Sequence, residues 1–76
     1  MIRLRAALAA ALTLATAARA DEALVQAQQR YQAGVERFKA RKFDEALREF
    51  EAAFALVPMP RVVIHIAETH LAMGNK

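Results

Sequence analysis

From Lys42 to Pro58 the chain reads KFDEALREFEAAFALVP, with apolar residues Phe43, Ala46, Leu47, Phe50, Ala53, Phe54 and Val57 at steps of three and four. That spacing gathers them on one side of a helix and turns the charges to the other. It predicts a helix over Phe43 to Leu56, with the phenylalanine stripe in a core. Pro58 ends it by disfavouring helical geometry at Val57. Upstream, Leu24, Ala27, Tyr31, Gly34 and Phe38 recur at the same steps with Val35 beside them, which predicts a helix from Glu22 to Ala40. Gly34 in mid-helix costs about 1 kcal/mol against alanine. A glycine in that place marks the close approach of another backbone.

Downstream, Pro60 suits the first turn of a third helix, where a missing N–H costs nothing. This helix is expected to run to about Met73 with Val63, Ile66, Ala67, His70 and Leu71 on its packing side. Gly74 is expected beyond its end in the left-handed conformation. Val62, Val63 and Ile64 have strand propensity, yet nothing else in the chain offers a strand to pair with. The pattern is all-α. Between the first two helices, Lys39, Arg41 and Lys42 place cations at a helix C-terminus, and Asp44 and Glu45 open the next helix with the opposite sign, as the macrodipole favours.

Composition changes the picture at the N-terminus. The formal charge of the 76 residues is +3. Arg3, Arg5 and Arg19 are the only charges among the first twenty residues, and from Asp21 onward eight basic residues balance eight acidic ones. A neutral remainder with no tryptophan lacks the basic footprint of a nucleic-acid binder. MIRLR, the uncharged run Ala6 to Ala18 and the small-x-small ending Ala18-Arg19-Ala20 are the three parts of a secretory signal peptide. Cleavage after Ala20 is expected, with Ala18 and Ala20 as the recognised small residues. The apolar run is shorter than the roughly 20 residues a bilayer span needs. Cysteine is absent, so disulfides, thiol chemistry and a lipidated N-terminal cysteine are excluded. These features point to a soluble periplasmic or secreted bacterial protein with no stable membrane anchor after cleavage.

The turn and third helix echo the earlier ones at an interval near 33 residues: Gly34 aligns with Ala67, Tyr31 with Ile64 and Phe38 with Leu71. Self-similarity at that period indicates stacked helical units. Gly34, Ala46, Phe50, Ala53 and Pro58 stand at the intervals of the tetratricopeptide repeat, and the chain resembles that family on these residues together with Phe43-Asp44-Glu45-Ala46-Leu47. The resemblance implies a helix–turn–helix unit at residues 27–59, preceded by a short helical extension at 21–26 and followed by helix A of a second unit at 60–76. It also implies a scaffold whose helix surfaces bind another protein or peptide. Three positions depart from the family pattern. Arg41 stands where a turn glycine is usual, so either Arg41 is left-handed or the turn differs. Arg30 and Arg37 stand where apolar or aromatic residues are usual. The second unit stops at Gly74-Asn75-Lys76, where its helix B is expected to begin.

Candidate chemistry is sparse. His65 and His70 are five residues apart, about 140° round a helix, and cannot share a metal as residues four apart can. His65 and Glu68 face each other but make only two ligands, short of a metal site. There is no serine, and Thr69 has no evident base, so nucleophilic catalysis lacks its parts. Gly34 and Gly74 are the only glycines, which leaves no phosphate loop. The chain is therefore expected to be no enzyme and to need no cofactor or metal. Three readings follow: an exported helical-repeat scaffold; the N-terminal fragment of a longer periplasmic repeat protein, with no independent function; and a small membrane-associated peptide with an uncleaved N-terminal anchor. For residues 21–76 alone, a core this small predicts weak helicity or self-association.

Overall fold

The computed structural model describes the backbone of residues 2–74 and the side-chain surroundings of residues 18–74. Among these residues there are three helices and no strand: α1 (Ile2–Lys39), α2 (Phe43–Leu56) and α3 (Pro60–Gly74). The basic start, the side chains of the apolar run up to Ala17, and Asn75 and Lys76 lie outside the described residues.

Helix α1 begins at Ile2, not at Glu22, and passes through Ala18, Ala20 and Asp21 without a break. Alanine and leucine are the strongest helix formers, and no glycine or proline interrupts the run before Gly34. The junction at Ala20 is thus continuous helix, with both Ala18 and Ala20 exposed.

The turn between α1 and α2 is a Schellman motif. The Lys42 N–H donates to the Arg37 carbonyl at 2.9 Å and the Arg41 N–H to that of Phe38 at 3.0 Å. Such a turn needs a left-handed residue at the position of Arg41. Arg41 has φ 61°. An arginine therefore carries the conformation a glycine adopts freely, at a cost of about 1 kcal/mol. Beside it the rings of Phe38 and Phe43 meet edge to face, 5.2 Å apart at 70°.

α2 has the predicted limits. Lys42 precedes it without a side-chain cap, and Val57 follows it in extended geometry with its N–H on the Ala53 carbonyl. That is the backbone expected of a residue before proline. α1 and α2 pack antiparallel, since Phe43 meets Phe38, Glu45 pairs with Arg37 and Glu49 with Arg30. Ala46, Phe50, Ala53 and Val62 form the buried core, with Tyr31, Val35, Phe38, Met59 and Ile66 packed around it.

Besides the start of α1, four expectations about packing and helix ends are corrected. The first concerns α3, which buries Val62 and Thr69 and half-buries His65 and Ile66, while Val63, Ala67, His70 and Leu71 face solvent. α3 is apolar on both sides, with Arg61 and Glu68 on one flank, so periodicity alone does not choose between them. Contacts of His65 with α1 and α2 decide it. Second, Leu24 is 41% exposed, because α2, about 21 Å long, ends before reaching it. Third, Phe54 is 39% exposed and stands outside the core cluster, at the edge of its stripe. Fourth, Gly74 is the last residue of α3 and no glycine has positive φ. Glycine permits the left-handed conformation without requiring it.

Candidate functional site

Gly34, Ala46, Phe50 and Ala53, singled out by their spacing, come together where α1 crosses α2. All four are buried. A Cβ at Gly34 would lie 2.6 Å from Cδ1 and Cε1 of Phe50, closer than any real Cβ contact. The close approach expected at Gly34 is therefore made by an aromatic ring, not by a backbone. Pro58 is exposed just past the end of α2.

Arg30 and Arg37 edge this seam. Arg30 Nη1 reaches both carboxylate oxygens of Glu49 at 3.4 Å, and Arg37 Nη1 lies 3.8 Å from Glu45 Oε1. The two arginines do not disturb the helix pairing; they face acids that α2 places one turn apart. Both pairs are open to solvent on the arginine side, so each contributes at most about 1 kcal/mol.

Behind α2, α1 and α3 are joined by a contact that spans 34 residues. Tyr31 Oη and His65 Nε2 are 2.8 Å apart. His65 Nδ1 lies 3.5 Å from Glu68 Oε2. In the tautomer protonated on Nδ1, Tyr31 Oη donates to Nε2, while Nδ1 lies near the Glu68 carboxylate without a hydrogen bond to it. One face of the imidazole stacks on Phe50, at 5.2 Å and 19°, and Tyr31 meets it at 67°. Thr69 Oγ1 donates to the His65 carbonyl at 2.7 Å, which accounts for a buried hydroxyl inside a helix. Among the described residues no buried side-chain polar atom lacks a partner. The spacing puts Tyr31 and Ile64 at equivalent positions of two units and says nothing of the Tyr31–His65 contact. A polar pair one repeat apart was the available signal.

Val35, Phe38, Lys39, Phe50, His65 and Glu68 line a cleft of about 220 Å³ between α1 and α3. That is below the usual range of small-molecule pockets, roughly 300–1,000 Å³. Among the described residues no three His, Cys, Asp or Glu side chains converge on a common point, and no helix is long and apolar enough to cross a membrane.

The other notable surface is the outer side of α3. Ile64 is 59% and Leu71 66% exposed, with Val63 and Ala67 exposed beside them. Pro60, Val63, Ile64, Ala67, His70, Leu71 and Gly74 make one continuous side without a carboxylate, lysine or arginine. Contiguous apolar sides of this kind are uncommon on the surface of monomeric soluble proteins in general.

Comparison with protein-family models, with curated proteins and with solved structures gave no match.

Proposed function

We propose that this chain is an exported, non-catalytic helical scaffold of the tetratricopeptide type, which binds another protein or peptide through its helix surfaces. The observation that carries the reading is the double-sided character of α3. One side packs on α1 and α2 through Val62, His65 and Thr69; the other, Val63, Ile64 and Leu71, is equally apolar and open. A helix with apolar residues on two sides, one already packed, has a second side suited to a partner.

The family assignment rests on the five spaced residues and on what they do. Gly34 admits the ring of Phe50, and Ala46 and Ala53 are small, buried positions on either side of that ring along α2. Arg41 adopts the left-handed turn conformation that a glycine would otherwise supply. Tyr31 and His65 act as a clasp between α1 and α3, since the imidazole is hydrogen-bonded at Nε2 and stacked on Phe50 on one face. Export rests on the tripartite N-terminus alone.

Two measurements test these readings. N-terminal sequencing of the exported protein is expected to give Asp21; Met1 would support the anchored-peptide reading instead. A photo-reactive residue at Ile64 is expected to capture a partner in cells, while one at the charged, exposed Arg48 is not. Equal capture at both, or none at Ile64, contradicts the scaffold reading.

A further inference from the structure

The bond that the tripartite N-terminus marks for cutting, between Ala20 and Asp21, lies inside continuous helix. A helical amide has its N–H and C=O bonded within the helix and its faces crowded by the adjoining turns. A peptidase needs those polar groups and one face of the bond free, so the helix has to open before the bond is cut. What the opening disturbs depends on where α1 first meets the rest of the fold. Ala18, Arg19, Ala20, Asp21, Glu22 and Gln26 are exposed, Leu24 is 41% and Val25 53% exposed, and Ala23 is partly shielded. Among the described residues Ala27 is the first that is buried. Gln26 donates to Glu22 at 3.3 Å, a contact that stays within α1. Unwinding as far as Gln26 therefore breaks local helix bonds and leaves the Arg30–Glu49 pair and the Gly34–Phe50 seam in place. Extended, residues 21–26 span about 20 Å, against about 9 Å as helix. The opened bond then stands well clear of the core.

We propose that the Ala20–Asp21 bond is hydrolysed through local unwinding of residues 18–26 while the core from Ala27 onward stays folded. This end of α1 is a gate, and its opening, not the unfolding of the domain, sets the rate of processing. The inference rests on the export reading and adds how the cut is controlled. Water adds across the amide, leaving a carboxylate on Ala20 and an α-amino group on Asp21. Asp21 and Glu22 then occupy the first turn of a shortened α1, where carboxylates favour the helix.

The test uses the full chain and a purified bacterial signal peptidase in detergent, with the cut located and timed by mass spectrometry. The chain has no cysteine, so Glu22→Cys/Gln26→Cys introduces two thiols one helical turn apart on exposed positions. A reagent that bridges them at that spacing holds the helix closed. The bridged chain is expected to be cut at least about ten-fold more slowly than the same chain unbridged, since less of it is open. A second variant, Phe50→Asp, puts a charge at a fully buried position and unfolds the core. It is expected to be cut at a rate within about two-fold of the parent, because opening at 18–26 does not involve the core. Hydrogen exchange read during the same reaction is expected to show α2 amides protected in the parent and unprotected in Phe50→Asp. Equal rates with and without the bridge overturn the proposal, since no unwinding would then be needed. Cutting that is about ten-fold faster in Phe50→Asp, or a parent whose α2 amides are unprotected while it is cut, overturns it in favour of global unfolding. In both cases a cut between Ala20 and Asp21 leaves the export reading standing. No cut at that bond in the parent or in Phe50→Asp removes the export reading and the proposal together.

Discussion

The ring of Phe50 occupies the space where a Cβ on residue 34 would have to be, 2.6 Å from the ideal position. Phe50 is fully buried and touches Tyr31 and His65 on its other sides, so it has nowhere to retreat. Gly34→Ala gains about 1 kcal/mol of helix propensity. It also forces overpacking that typically costs about 1–3 kcal/mol. The expected outcome in thermal melts is a lower Tm. Adding Phe50→Leu to the alanine variant should recover part of the loss, a coupling that a double-mutant cycle measures directly. Additive losses would show that the two residues are not in contact.

Arg41 is exposed and left-handed, so its side chain contributes little packing while its backbone is strained. Arg41→Gly is expected to raise stability by about 1 kcal/mol, visible as a higher midpoint in urea. Arg41→Val should lower it, since a β-branched residue tolerates positive φ least. A neutral glycine variant would mean that the turn does not use the left-handed conformation.

The Tyr31–His65 pair spans α1 and α3 in a half-buried setting. Tyr31→Phe keeps the ring and removes the hydroxyl, leaving an imidazole nitrogen without its partner. A loss of about 1 kcal/mol is expected, with greater exposure of α3 amides in hydrogen exchange. Arg30→Ala, which opens an exposed pair, should cost less, and its effect should fade in high salt.

Much of this architecture was legible in the residues, because charge and apolar spacing agreed. α2 has acids and arginine on one side and a clean stripe on the other, and proline after it, so its limits and buried face follow from period and punctuation. Gly34 announced a close contact, though spacing could not say that a ring would make it. Arg41 left two turn geometries open, and the positive φ chooses one. α3 was not legible in the same way. Both of its sides are apolar, and the choice between them depends on a phenol–imidazole hydrogen bond and a ring stack that involve residues far away in sequence. Leu24 and Phe54 lie on periodic stripes that outrun the helix facing them. Only the assembled structure shows where that cover stops.

The orientation of α3 decides which surface is open, and the protein offers a direct way to measure it because it contains no cysteine. Single cysteines at positions 62 and 64 can each be timed for reaction with a thiol reagent under native conditions. Val62 is fully buried and Ile64 is 59% exposed. The Ile64→Cys thiol should react close to the rate of an unfolded control, and the Val62→Cys thiol at least ten-fold more slowly than its own unfolded control. Protection at 64 with rapid reaction at 62 would mean that α3 is turned the other way, and the open face described here would not exist.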